Sequence, residues 1–219
     1  KLGFAAAKLL QELLEPDSVV AISGGSTMAA VAEEMPILSF NPTVVPARGG
    51  VGAVVEYQAN VIASVLAERL RGTYKMLHLP DGLSQDSLHM LMTCEPQIKE
   101  IGDLISRTDV LLFGIGTAMR MADQRHIADD VRKQLVDNHA VGEALGQYCD
   151  MDGKLIYSTN NIGLSLPDVA KVPNVIAVAG GQEKASAIIG VMRACQKGIL
   201  IIDEQAAEGM RQLLQISAL

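Results

Sequence analysis

The sequence predicts an α/β fold in which a parallel sheet is covered by helices on both faces. Three observations predict it. Short, continuously apolar runs such as SVVAIS at 18–23, DVLLF at 109–113 and NVIAVA at 174–179 recur along the chain. Segments with helical apolar spacing alternate with them. Glycine clusters directly follow four of the apolar runs. Strands apolar on both sides belong in a parallel sheet buried between helix layers, whereas a sheet with one wet face alternates polar and apolar residues.

The chain enters in an amphipathic helix, with Leu2, Ala6, Leu9, Leu10, Leu13 and Leu14 on one face, broken by Glu15-Pro16-Asp17. Ser18–Ser23 reads as a buried strand and Ser26–Met35 as a helix stopped by Pro36. Thr43–Pro46 is a short strand, Val54–Arg71 a long helix and Tyr74–Leu79 a strand. Ser84–Met92 and Pro96–Ser106 are helices divided at Pro96, since proline is tolerated at a helix start and not inside one. Asp109–Phe113 is a strand, and a mixed helical stretch covers about Ala118–Leu135. Val141–Tyr148 reads as helical, and Leu155–Ser158 as a strand beside the Asp152-Gly153 turn. Asn174–Ala179 and Gly198–Ile202 are strands, while Gln182–Ala194 and Glu204–Leu214 are helices. No repeat, low-complexity stretch or Pro/Gly linker interrupts the pattern, so residues 1–219 read as one domain.

Composition narrows the function. The 219 residues are 49% hydrophobic and 20% charged, which excludes a solvated, disordered tail. No run of eighteen apolar residues offers a membrane span. Eighteen basic residues against 25 acidic ones give a net charge of -7, which disfavours a nucleic-acid surface on this piece. Aromatics are 3% and Trp is absent, so a base-stacking platform is disfavoured too. Cys94, Cys149 and Cys195 are odd in number and form no C-x-x-C, so they read as buried free thiols of a reducing cytoplasm. His78, His89, His126 and His139 have no metal-ligand spacing, and no metal site is expected. The chain opens on Lys1 inside a helical pattern, without a signal peptide ahead of it. It reads as a piece of a longer protein, with a trimmed complete one as the alternative.

The glycine clusters carry the functional signal. They are Ser23-Gly24-Gly25-Ser26-Thr27, Ala47-Arg48-Gly49-Gly50-Val51-Gly52, Gly114-Ile115-Gly116-Thr117 and Gly180-Gly181-Gln182-Glu183-Lys184. In parallel α/β sheets, ligands bind outside the carboxyl ends of the strands, where helix N-termini present free N–H groups and favour anions. The first cluster fits neither G-x-G-x-x-G nor G-x-x-x-x-G-K-[ST], so dinucleotides and nucleoside triphosphates are not favoured. Ser26 and Thr27 serve as helix caps, as hydroxyl donors beside a Gly25 backbone nest, or as both. Arg48 is either a surface side chain or a planar fork for phosphate. Gln58 is placed on the apolar stripe of its helix with Val54, Val61 and Ile62, so its amide needs a ligand or an internal partner. Lys184 falls in the first turn of a helix, where a cation opposes the dipole unless an anion is close. Glu143, between Gly142 and Gly146, is either a solvated helical carboxylate or an acceptor for sugar hydroxyls. Arg125 is a further cation near the third cluster. Two cation-bearing turns and a carboxylate suggest a phosphorylated polyol.

Taken together, VAISGGSTMAAVAEEM, VVPARGGVG with EYQANVIASVLAERL, YKMLHLPDGLS, DVLLFGIGTA, VGEALGQYCDMDGKL, IGLSLPDVAKVPNVIAVAGGQEKASAI and GILIIDEQAA resemble the effector-binding domain of SorC-type bacterial transcription regulators over nearly the whole chain. The VPARGG run with the later EYQAN is most similar to the branch that controls glycolytic genes. The resemblance implies a Rossmann-like fold of the sugar-phosphate isomerase/deaminase kind, without catalytic residues or a cofactor. It implies a helix-turn-helix DNA-binding module N-terminal to this chain, and dimers or tetramers on operator DNA. It implies fructose-1,6-bisphosphate or a related sugar phosphate as an inducer that lowers operator affinity. The family's binding positions fall on Gly25, Ser26, Thr27, Arg48, Gln58, Glu143 and Lys184, with Arg125 the weakest match. Many members carry Asp at the Glu143 position and TDE where Ile202-Asp203-Glu204 stands, and Asp203 reads as a helix cap.

Two other readings compete. A sugar-phosphate isomerase or aminosugar-phosphate deaminase of this fold needs a positioned acid or base. Gly114-Ile115-Gly116 is instead followed by Thr117-Ala118-Met119-Arg120, and the nearest carboxylate, Asp123, reads as a surface residue. A ligand-free oligomerisation module would explain a helix over 185–195 that is apolar nearly all round, buried or at an interface, but not the cation-bearing turns.

Overall fold

The computed structural model describes residues 1–50, 54–80 and 82–215. In chain order, the first half comprises α1 (Leu2–Leu13), β1 (Val19–Ile22), α2 (Ser26–Glu34), β2 (Thr43–Pro46), α3 (Ala59–Arg69), β3 (Thr73–Tyr74), α4 (Gln85–Cys94), α5 (Pro96–Ser106) and β4 (Val110–Gly114). The second half comprises β5 (Gly116–Thr117), α6 (Ala118–Gln124), α7 (Asp129–Asp137), β6 (Gly142–Ala144), β7 (Gln147–Cys149), β8 (Leu155–Ser158), β9 (Asn174–Ala179), α8 (Ala185–Cys195), β10 (Ile199–Ile202) and α9 (Glu204–Leu213). Short 3-10 turns at Val55–Tyr57, Leu166–Lys171 and Gln182–Lys184 join them.

Six strands form a parallel sheet in the order β10-β9-β4-β1-β2-β3. Alternate side chains explain the continuous apolar runs. Val20, Ile22, Val44, Val110, Leu112, Ile176 and Val178 face one layer with α1, α2 and α3. Ala21, Val45, Leu111, Phe113, Val175 and Ala177 face the other, with residues of α5 and α8. The chain runs outward from β1 to β3, then returns to place β4 on the other side of β1. The β1/β4 boundary is thus the topological switch point, where a crevice opens beyond the strand ends.

Between β4 and β9 lies an insertion, a four-stranded antiparallel sheet in the order β5-β6-β7-β8, of which the sequence expectation held only the last strand, Leu155–Ser158. Its small core holds Ala118, Ala122, Leu135 and Tyr148, packed with α6 and α7. The hairpin of β6 and β7 leans on α8. A Cβ at Gly142 would lie 2.8 Å from the Ala187 carbonyl oxygen, so only glycine allows this approach.

Several expectations need correction. Val141–Tyr148 is not a helix but this hairpin, turned by Leu145 at φ 52° and Gly146 at φ 78°. The helix expected over Val54–Arg71 begins only at Ala59, after the 3-10 turn. The Tyr57 carbonyl accepts from the Gly25 N–H at 2.8 Å and the helix does not reach back through it. Gln58 is therefore a half-buried N-cap with extended backbone rather than part of an apolar stripe, and Val54 is exposed. The strand expected over Tyr74–Leu79 ends at Tyr74. The Leu77 backbone is satisfied instead by the buried Asn60 carboxamide, whose Oδ1 accepts at 2.9 Å and whose Nδ2 donates at 3.1 Å. Cys149 and Cys195 are buried, with thiol pKa values pushed up to about 12 chiefly by burial, but Cys94 is exposed. Among the described residues, no helix is long and apolar enough to cross a membrane.

Candidate functional site

The carboxyl ends of β1, β2, β4 and β9 bring all four glycine clusters to one edge of the sheet, although Val51 and Gly52 of the second lie outside the described residues. At the switch point, the Gly114 N–H donates to Ser23 Oγ at 3.1 Å and ties two of the turns together. Gly24 packs against the next element so closely that a Cβ would meet the Tyr57 carbonyl oxygen at 2.7 Å. Gly25, at φ 112°, is the N-cap of α2. Ser26 is exposed and Thr27 half-buried in the first turn, whose backbone N–H groups are left for an incoming acceptor. Gln58 follows Tyr57 and so sits beside this nest.

Arg48 is not a surface residue, being only 7% exposed just beyond β2. Its Nη2 donates to Thr159 Oγ1 at 3.1 Å. The Asn161 carboxamide, turned so that its oxygen faces the guanidinium, accepts from Nη2 and Nε at 2.7 Å each. Gly146 lies against the guanidinium, and a Cβ there would stand 2.8 Å from Arg48 Cζ.

Glu143 is 3% exposed on β6, opposite Gly116 of the third cluster. Its Oε1 accepts from the Gly146 N–H at 2.7 Å and from Arg125 Nη2 at 3.1 Å. Its Oε2 points toward Gly116, 3.9 Å from where a Cβ would stand, and makes no hydrogen bond among the described residues. Burying a carboxylate is costly unless hydrogen bonds and charge partners hold it. Arg125 supplies the charge, and the hairpin turn supplies an N–H. The antiparallel insertion is what carries both groups over the switch point.

Lys184 stands half-buried at the N-cap of α8, and its ammonium makes no hydrogen bond or ion pair among the described residues. Burial lowers its pKa, and the positive charge of Arg120 lowers it further, against the opposing pull of Glu183 and Asp203. Two cations near one another at a helix start make a place for an anion. Asp203 caps α9 by accepting from the Ala206 N–H at 2.8 Å, and it also accepts from the Gly181 N–H at 3.0 Å, which fixes the fourth turn.

The structure thus pairs Arg125 with Glu143 directly, joins Arg48 to them only through Thr159 and Gly146, and sets Gly25, Ser26, Thr27 and Gln58 in a second group on the same edge. Lys184 stands with Arg120 at the fourth turn. Sequence reading missed Arg120, Thr159 and Asn161. Arg120 carries no motif, and the other two are polar residues in a loop whose burial becomes visible only once Arg48 is placed. A cavity of about 610 Å³ lies between α4, α5 and the 158–164 segment, with Thr159 and Asn161 on its wall, and its Thr108 and Asp168 side chains are satisfied by neighbours. Among the described residues, no group of three His, Cys, Asp or Glu side chains gathers as metal ligands.

Comparison with known proteins gives the family and the fold. A family model described as "Putative sugar-binding domain" matches residues 1–212. The chain belongs to this family, the sugar-binding domain of SorC-type regulators. The central glycolytic genes regulator of Bacillus subtilis (strain 168) is 38% identical to this SorC-type domain over 210 residues, which is 95% of this chain and 62% of that protein. The regulator of the same name from Priestia megaterium is 39% identical over 211 residues, 95% of this chain and 61% of that protein. The chain therefore spans about three fifths of the length of these relatives. A solved chain described as a "putative SorC family transcriptional regulator from Enterococcus faecalis" superimposes with a TM-score of 0.86 at 38% identity, covering 95% of this chain and 86% of that one. The full-length sorbitol operon regulator of Klebsiella pneumoniae gives a TM-score of 0.86 at 23% identity, covering 95% of this chain and 71% of that one, and shares the fold.

Proposed function

We propose that this domain binds a phosphorylated sugar, fructose-1,6-bisphosphate, at the carboxyl edge of its sheet. We propose further that occupancy lowers the operator affinity of a DNA-binding module outside this chain. The observation that carries the reading is the buried Glu143 carboxylate, whose Oε1 is held by Arg125 and Gly146 while its Oε2 faces Gly116 as a further acceptor, between a cation at each end of the edge. A carboxylate so placed accepts from sugar hydroxyls, while Arg48 and Lys184 suit phosphates at either end. Ser26 and Thr27 add backbone and hydroxyl donors, Gly25 lets a ligand come close to them, and Gln58 adds an amide. The two curated relatives named for glycolytic genes support the choice of a glycolytic sugar phosphate.

In this reading the domain is a cytoplasmic sensor without catalytic activity, and it works as a dimer or tetramer. The names of the relatives support regulation over catalysis. Asp123, the first carboxylate after the third glycine turn in the sequence, is exposed and engaged by Arg132. The apolar helix α8 is buried inside this one chain, against the hairpin and α9, and so gives no support to a purely oligomerising role. Effector control requires different affinities for two states, which the ligand supplies by bridging sheet and insertion.

A thermal melt against fructose-1,6-bisphosphate, fructose-6-phosphate, glucose-6-phosphate, dihydroxyacetone phosphate and glucosamine-6-phosphate tests the proposal. Ligand at 100 times its dissociation constant adds about 2.7 kcal/mol, a shift of roughly 5–10 °C for a domain of this size. The bisphosphate should give the largest shift, and no shift with any member of the panel defeats the reading. Lys184→Ala and Arg48→Ala should each weaken bisphosphate binding by about 1.5–3 kcal/mol. Because the lowered pKa of Lys184 discharges it at less alkaline pH than a solvated lysine, affinity should fall as the pH rises toward 10. Lys184→Ala should remove that slope.

A further inference from the structure

Arg48 and Glu143 come from different parts of the fold, yet an unbroken chain of hydrogen bonds joins them. Glu143 Oε1 accepts from the Gly146 N–H at 2.7 Å. The Gly146 carbonyl accepts from the Thr159 N–H at 2.9 Å and from Thr159 Oγ1 at 3.0 Å. Thr159 Oγ1 then accepts from Arg48 Nη2 at 3.1 Å. The single hydroxyl proton is used toward Gly146, so the oxygen's lone pairs face the guanidinium and the polarity of the chain is fixed. Thr159 is 8% exposed, and Gly146 bears no side chain that would come between Thr159 and Arg48.

We infer that Thr159 is a positioning residue for the effector site, locking the Arg48 guanidinium in register with the Glu143 carboxylate so that one ligand can engage both. The inference rests on the function proposed above. Thr159 has no place in the family resemblance and touches no ligand in this role. Its hydroxyl sets the orientation of a planar fork whose worth for an anion depends on angle as well as distance. Asn161 grips the same guanidinium by Nε and Nη2, so the two loop residues together leave it little freedom.

Thr159→Val keeps the shape and removes the hydroxyl, while the Gly146 carbonyl keeps its bond from the Thr159 N–H. The loss should therefore appear in binding more than in folding. Calorimetric titration with fructose-1,6-bisphosphate should show about tenfold weaker binding for Thr159→Val, the scale of one hydrogen bond to a charged group. Thr159→Ser restores the hydroxyl and should bind within about twofold of the unaltered domain. In an Arg48→Ala background, Thr159→Val should add less than about a twofold loss, because the group it orients is gone. Asn161→Ala should follow the same pattern and serves if the valine variant fails to fold. Unaltered affinity in Thr159→Val, or a full tenfold loss added on top of Arg48→Ala, overturns the positioning role and leaves the function standing. Absence of saturable binding by the unaltered domain overturns the function, and the positioning role with it.

Discussion

The parallel sheet and the antiparallel insertion build the site from opposite chemistry. The sheet edge offers glycine turns, a helix N-terminus and short hydroxyl side chains, with one cation, Arg48 or Lys184, toward each end. The insertion offers long charged side chains, Glu143 and Arg125, held on a hairpin that has only a four-residue buried core of its own. The sheet is packed on both faces, and the insertion shares one of those cores through Ala144, Leu145 and Cys149 while its hairpin rests on α8. A rigid edge that holds phosphate and a lighter cap that reads the sugar would let one fold keep the first task while varying the second.

The division is broken most severely from the sheet side. Ile22 is fully buried at the end of β1. Ile22→Ala should cost about 4 kcal/mol and lower the melting temperature by roughly 10 °C, with hydrogen exchange rising everywhere in the chain. Leu135, equally buried in the small core of the insertion, should cost about 2 kcal/mol as Leu135→Ala, with faster exchange confined to residues 116–158. Equal protection loss in both regions would show that the insertion is not a separate layer energetically.

Next in size is the buried ion pair. Glu143→Ala leaves Arg125 half-enclosed without its carboxylate and the Gly146 N–H without its acceptor. The expected cost is about 3 kcal/mol in chemical denaturation. Glu143→Gln, which keeps an oxygen for Gly146, should lose only about 1 kcal/mol. In binding, Glu143→Ala should harm discrimination among sugars more than affinity for inorganic phosphate. Equal losses for inorganic phosphate and the bisphosphate would remove the sugar-reading role from the insertion.

How far these regions could be read in the sequence follows the same line. The four inner strands of the parallel sheet are legible because burial on both faces leaves an unbroken apolar run; the edge strand β10 is legible from its apolar residues alone, and exposed β3 is expected too long. The hairpin was not legible. Its turn is Leu145-Gly146, with Leu145 at φ 52°, where the Asn-Gly or Asp-Gly that signals such a turn would be expected. Its strands are three residues each, too short to show a period of two. Of the site, Arg48, Glu143 and Lys184 stood out because charge beside glycine is conspicuous. Gln58 was noticed on a helical stripe that does not exist, since a committed Tyr57 carbonyl cannot be read from residue types. Asn60, Thr159 and Asn161 gave no sign, because buried polar loop residues are ordinary in sequence and become informative only through their partners.

The smallest effect is at the fourth turn, where the sheet edge is fixed by a side chain rather than by packing. Asp203 accepts from the N–H groups of Ala206 and Gly181, and these bonds hold its carboxyl pKa below the usual value. Ionised Asp203 is thus favoured in the folded domain. Its stabilisation is complete above the unfolded carboxylate's pKa near 4 and disappears as the pH falls through the lower folded value. Asp203→Ala should cost about 1 kcal/mol at neutral pH, the usual worth of a helix cap, and should flatten the acid limb of the stability curve. The turn it fixes also carries Lys184, so the variant should weaken bisphosphate binding by a smaller factor than Lys184→Ala does. A loss as large as that of Lys184→Ala would mean that the turn's shape, more than the lysine's charge, holds the anion at this end of the sheet edge.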